Sequence, residues 1–170
     1  TSLLQSRVLN KIFSTVLPSK KIPMFFCDTN SSNKSNIISA RVAATRGFSQ
    51  FVSETNYVLD QNLNISLDKL ISFIENNRKE PFLIFGFTSV IWTYLVLKLR
   101  DKNIYLPKNK GILIHGGGWK KILDQAVDKN EYNSLLKKTL GISNVYNYYG
   151  MVEQTGSIFL ECSEGFYHPS

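Results

Sequence analysis

The feature that most constrains the fold is a repeated switch of apolar pattern in the second half of the chain. Pro81-Phe82-Leu83-Ile84-Phe85-Gly86-Phe87 is an almost continuous apolar run. A strand covered on both faces reads this way, whereas a strand with one wet face alternates. At Thr88 or Ser89 the run passes into an apolar helical stretch that extends to about Arg100. Gly111-Ile112-Leu113-Ile114-His115 returns to strand, and a helix is expected from about Trp119. A further helix takes Asn130 as its cap, places Leu135, Leu136 and Leu140 on one side, and ends at Gly141. Val145-Tyr146-Asn147-Tyr148-Tyr149 is a strand running into Gly150, and Ser157 to Cys162 is another. Strands alternating with helices imply an α/β fold, a parallel or mixed sheet with helices on both faces.

The first half carries a weaker version of the same signal. Val8, Leu9, Ile12, Phe13 and Val16 share a helical face that Pro18 terminates. Ile22-Pro23-Met24-Phe25-Phe26-Cys27, ending at Asp28, reads as a buried strand. Asn30 to Asn36 is loop-like, and Ser39 to Thr45 fits no single pattern. Ser66 is placed to cap a helix carrying Leu67, Leu70, Ile71 and Ile74. With 170 residues, 43% of them hydrophobic, residues 1–170 form one domain with a sizeable core.

Several function classes are set aside by composition. The apolar stretch Ile84 to Leu99 is broken by Gly86, Thr88, Ser89, Thr93 and Lys98, so it reads as no membrane span. No secretory leader pattern opens the chain, and a cytoplasmic location is expected. The net charge of +7 is distributed over scattered lysines such as Lys20-Lys21, Lys120-Lys121 and Lys137-Lys138, with no nucleic-acid motif beside them. No nucleic-acid partner is expected. The two cysteines, Cys27 and Cys162, read as reduced thiols. Cys162 and His168 are near enough to share a metal, but two ligands do not make a zinc site.

In sheets of this kind ligands gather at the carboxyl ends of the strands. Three strand ends carry unusual residues. Phe87, Thr88 and Ser89 either shape a substrate pocket or cap the following helix. Gly116-Gly117-Gly118, after His115 and before Trp119, either lets a ring or a phosphate approach the backbone or makes a tight turn. The spacing matches neither a dinucleotide fingerprint nor a Walker loop. Tyr149-Gly150-Met151-Val152-Glu153 places an aromatic ring and a carboxylate in one loop, suited to stacking on a base and to holding Mg²⁺. Glu153 also suits a plain helix start.

Taken in order, Gly86-Phe87-Thr88-Ser89, Ile114-His115-Gly116-Gly117-Gly118-Trp119, Asn147-Tyr148-Tyr149-Gly150-Met151-Val152-Glu153-Gln154-Thr155-Gly156 and Glu161-Cys162-Ser163-Glu164-Gly165-Phe166-Tyr167-His168 resemble the adenylate-forming superfamily. The nearest branch in appearance is the acyl-protein synthetases, the luciferase-associated fatty-acid ligases, with phenylacetate–CoA ligases as neighbours. Ser39-Ala40-Arg41 through Arg46-Gly47-Phe48 also looks like the first branch. The resemblance implies part of the large N-terminal domain of an adenylate-forming enzyme. It implies ATP and Mg²⁺, a carboxylic-acid substrate, an acyl-adenylate, and an acyl-accepting or reductase protein partner. An aryl- or acyl-CoA ligase and a non-catalytic nucleotide-binding module are the alternatives.

By the same resemblance, Gly116, Gly117, Gly118, Trp119, Asn147, Tyr148, Tyr149, Gly150, Met151 and Gln154 are the ATP-binding residues. The glycine backbone would lie on one face of the adenine, with Tyr149 on the other and the Asn147 amide at its edge. Glu153 would be the catalytic carboxylate and the Mg²⁺ ligand, and Phe87, Thr88, Ser89 and His115 would line the acyl side. Val152 stands where the superfamily usually has Thr or Ser. The resemblance places the phosphate loop before Thr1. It places the ribose-binding aspartate, the lid lysine and the acyl-accepting cysteine beyond Ser170. Residues 1–170 alone are accordingly expected to be inactive, and the full-length form active.

Overall fold

The computed structural model describes residues 2–29, 48, 51–60, 62, 64–150, 158–162 and 165–169. The elements are α1 (Ser2–Phe13), β1 (Ile22–Thr29), β2 (Val52–Leu59), α2 (Leu67–Asn77), β3 (Phe82–Phe87), α3 (Thr88–Ile91), a π-helical turn (Trp92–Val96) and α4 (Leu97–Asp101). They continue with β4 (Gly111–Gly116), a 3₁₀ helix (Lys120–Gln125), α5 (Lys129–Leu140), β5 (Asn144–Gly150), β6 (Ile158–Glu161) and β7 (Tyr167–Pro169).

One seven-stranded sheet runs β2-β1-β3-β4-β5-β6-β7. The first five strands in that order are parallel, and β6 and β7 complete the sheet as an antiparallel edge. The mixed α/β sheet expected from the apolar runs is therefore present. The order reverses between β1 and β3, and open α/β sheets bind ligands at such reversals, outside the carboxyl ends of the strands.

Alternate residues of the central strands feed two cores. Phe25, Cys27, Phe82, Ile84 and Leu113 pack beneath α2, α3, α4 and α5. Met24, Phe26, Leu83, Phe85, Ile112 and Ile114 face Ile12, Phe13 and Phe48 on the other side. The residues of β3 from Phe82 to Phe85 are fully buried on both faces, which is why that run is so continuous. Each such side chain contributes about 1.5–3 kcal/mol of transfer free energy.

Helix boundaries follow local chemistry, with four departures from expectation. The cap of α5 is Asp128, whose Oδ1 accepts from the Asn130 and Glu131 amides at 2.7 and 2.9 Å. A carboxylate satisfies the orphan amides and favours the positive end of the helix, while Asn130 already lies inside the first turn. The segment after Trp119 is a 3₁₀ helix, interrupted at Ile122 with φ −118° and ψ 37°. The helix from Thr88 to Asp101 contains the π turn, which brings Trp92, Leu95 and Val96 together into the core. Ser66 occupies the cap position of α2 without a side-chain hydrogen bond to the helix. Gly141 ends α5 in the left-handed conformation at φ 67°, as its position required.

Two strands had no reading in the sequence. The β2 segment Val-Ser-Glu-Thr-Asn-Tyr-Val-Leu is polar through its centre because it stands at the end of the strand order. The three residues of β7 are all exposed.

Candidate functional site

The register of the sheet brings the predicted strand ends side by side. Phe87, Gly116 and Tyr148 form one row across β3, β4 and β5. One step earlier, Gly86, His115 and Asn147 form the row that faces the opposite way, with Cys27 at its β1 end. The three sequence motifs, separated by long helical crossovers in the chain, are thus neighbours at the carboxyl ends of the central strands.

Beneath them lies a buried polar cluster. Thr88 and His115 are both buried. Thr88 Oγ1 lies 2.9 Å from His115 Nδ1 and 3.1 and 3.0 Å from the carbonyl oxygens of Gly116 and Gly117. The Tyr132 hydroxyl donates to the Thr88 carbonyl at 3.3 Å. Around this cluster the Tyr132 ring meets His115 at 4.9 Å, Trp92 at 5.7 Å and Trp119 at 5.6 Å. Burial pushes the His115 pKa down to about 3 and the Tyr132 hydroxyl well above its ordinary range. The imidazole is therefore neutral at physiological pH.

The glycine turn leaves the sheet above this cluster. Gly117 has φ 75°, a conformation that disfavours any side chain, and both Gly117 and Gly118 are exposed. A Cβ at Gly118 would project into open space. On β5, Tyr148 is largely buried, and burial raises its hydroxyl to about 12. Tyr149 points to the other face and is 49% exposed, its ring 6.3 Å from that of Phe159. Asn147 Nδ2 donates to the Tyr167 hydroxyl at 2.6 Å, so β7 reaches back over the predicted adenine-edge amide.

The remaining predicted residues fall as follows. Phe87 and Ser89 are half-buried at the start of α3, Gly150 is exposed at the end of β5, and Trp119 packs edge-on to Trp92 at 5.5 Å. Met151, Val152, Glu153 and Gln154 lie outside the described residues. Among the described residues no group of three or more His, Cys, Asp or Glu is placed to hold a metal ion. Cys162 and His168 line an apolar cavity of about 440 Å³ with Ile12, Val16, Tyr146 and Leu160. Neither cysteine is in a disulfide.

The family model described as acyl-protein synthetase, LuxE, matches residues 3–169. The chain belongs to this family. No curated protein and no solved structure matches the chain. Membership of the acyl-protein synthetase family assigns it to synthetase-type enzymes that work with an acid substrate and a protein acyl acceptor. Among the described residues no helix is long and apolar enough to cross a membrane. Within this acyl-protein synthetase, Tyr132 and Trp92, which form the floor of the strand-end cluster, carried no functional signal in the sequence. Tyr132 is recoverable only in retrospect, four residues before Leu136 and eight before Leu140 on the buried side of α5.

Proposed function

We infer that the protein activates a carboxylic acid, of the fatty-acid class, with ATP, forming an acyl-adenylate and pyrophosphate, and passes the acyl group to a protein thiol. Residues 1–170 then belong to the large adenylating domain of such an enzyme. The observation that carries this reading is the alignment of Phe87, Gly116 and Tyr148 in one row at the carboxyl ends of three parallel strands. That alignment supports the reading because it sets the segments proposed for the acyl side, the glycine turn and the tyrosine next to one another at the carboxyl end of the sheet.

The residues present fit a nucleotide. The Gly116-Gly117-Gly118 turn offers backbone without side chains, with open space beside Gly118. The exposed Tyr149 ring offers a stacking face on β5. Asn147 brings an amide to the same edge, held by Tyr167. Phe87 and Ser89, half-buried where β3 passes into α3, are the proposed acyl wall, which would exclude water from the reacting carboxylate. Glu153 is the proposed ligand of Mg²⁺, an ion that would offset charge on the phosphates.

Titration calorimetry with ATP and Mg²⁺ tests binding, and acid-dependent pyrophosphate exchange tests activation. Glu153→Ala is expected to abolish exchange while the fold persists. Absence of nucleotide binding by the full-length protein would sink the reading. Transfer to coenzyme A in place of a protein thiol would replace the acceptor while leaving the adenylation step intact.

A further inference from the structure

Three neighbours surround a single hydroxyl at the base of the glycine turn. The Thr88 Oγ1 contacts are His115 Nδ1 and the carbonyls of Gly116 and Gly117. A hydroxyl has one proton to give and lone pairs to receive with. Carbonyl oxygens only accept, so the Thr88 proton serves the two carbonyls. With that pairing the imidazole donates Nδ1–H to Oγ1; the other tautomer would have the hydroxyl donate to Nδ1 and leave both carbonyls to other donors. This arrangement shares the one hydroxyl proton between the two carbonyls and gives Oγ1 a donor, in a site where an unmade bond is costly.

The consequence lies on the opposite side of the turn. No peptide in the described chain is cis. In a trans peptide the C=O and N–H point in opposite directions. Since the carbonyls of Gly116 and Gly117 both turn inward to Thr88, the amide N–H groups of Gly117 and Gly118 point away from it. The Gly117 N–H on that side faces β5, where Gly116 is in register with Tyr148, and the Gly118 N–H, beyond the ladder, is the donor presented outward at the exposed end of β4, where hydrogen-bond acceptors of a ligand are favoured.

We propose that Thr88 and His115 are positioning residues that set nucleotide affinity by holding the Gly116 and Gly117 carbonyls inward and the Gly118 amide toward the ligand. The role rests on the nucleotide reading above and adds two residues that act through the glycine backbone. Neither side chain touches the nucleotide: both are buried, and their hydrogen bonds go to each other and to the turn. His115 serves through its Nδ1–H, which defines the tautomer of the ring. An Asn side chain carries an N–H donor near the Nδ1 position without titrating, which makes His115→Asn the conservative replacement.

The test compares Mg²⁺–ATP binding by calorimetry for the parent protein, Thr88→Val, Thr88→Ser and His115→Asn, with ¹⁵N spectra of His115 and of the Gly117 and Gly118 amides. Thr88→Val is expected to weaken ATP binding at least tenfold and shift both glycine amides. Thr88→Ser and His115→Asn are expected to stay within about threefold of the parent. The parent spectrum is expected to show the Nδ1–H tautomer. Parent binding matched by a folded Thr88→Val protein would overturn the role and leave the nucleotide reading standing, as would an Nε2–H tautomer in the parent. Should Thr88→Val not fold, the tautomer and the retention of binding by Thr88→Ser and His115→Asn decide the matter. No ATP binding by the parent overturns both.

Discussion

The ring of Tyr148 fills the space into which a β-carbon on Gly116 would project, with its Cδ1 2.8 Å from that position. The two residues are register partners on β4 and β5. Tyr148 in turn packs against Phe85 at 5.9 Å and Phe13 at 6.3 Å, so the ring has little freedom to retreat. Gly116→Ala is expected to destabilise the fold by about 1–3 kcal/mol through overpacking. Urea denaturation measures the loss, and Gly118→Ala, which meets nothing within 4 Å, is the matched control.

Acid should destabilise the protein through His115. Its pKa is about 3 in the folded state against an ordinary value of 6.5, because burial disfavours the imidazolium. The unfolded chain therefore binds a proton that the folded chain refuses. The contribution is neutral above pH 6.5 and grows unfavourable as pH falls from 6.5 toward 3. At pH 5 the loss is about 2 kcal/mol at 1.36 kcal/mol per pH unit. Denaturation midpoints at pH 7 and pH 5 should differ by less in His115→Asn than in the parent.

Tyr149→Ala separates ligand contact from stability. The ring is half exposed, with Phe159 at 6.3 Å, so its removal should change unfolding free energy by under about 1 kcal/mol. Stacking of a base on an aromatic ring contributes about 1–3 kcal/mol. Nucleotide affinity should therefore fall roughly five- to a hundredfold. Equal affinity in parent and variant would remove Tyr149 from the site.

The α5 cap gives a prediction independent of function. Asp128 Oδ1 satisfies two amides of the first turn. Asp128→Ala should cost about 1 kcal/mol and Asp128→Asn less, read from thermal or urea unfolding.

The sequence showed most of what is buried on both sides and little of what is half exposed. β3 and β4 announced themselves because every residue from Phe82 to Phe85 and from Gly111 to Gly116 is buried, leaving no polar positions to blur the run. β2 did not, since Ser53, Glu54, Thr55 and Asn56 are exposed or half-buried in the strand at the end of the order. The 3₁₀ segment after Trp119 escaped because Lys120-Lys121-Ile122-Leu123 has ordinary helical propensity and the break at Ile122 is a backbone event. At the site, the glycine run and the Tyr149 loop were visible as composition. Their floor was not: Tyr132 reaches Thr88 across 44 residues, a pairing that only the crossover from β4 to β5 brings about.

The order of strands also bears on how the chain assembles. After β1, only β2 is laid down on one flank; β3, β4, β5, β6 and β7 are each added beside the strand that precedes it or, for β3, beside β1. A polypeptide leaving the ribosome amino end first can dock each new strand onto an existing edge, without waiting for a distant partner to be synthesised. Each parallel addition must close a long crossover loop, a slow step that leaves the growing edge open to wrong partners. The antiparallel β6–β7 pair, joined by a short connection, covers β5 quickly and moves the open edge to the three-residue β7, too short to template much pairing.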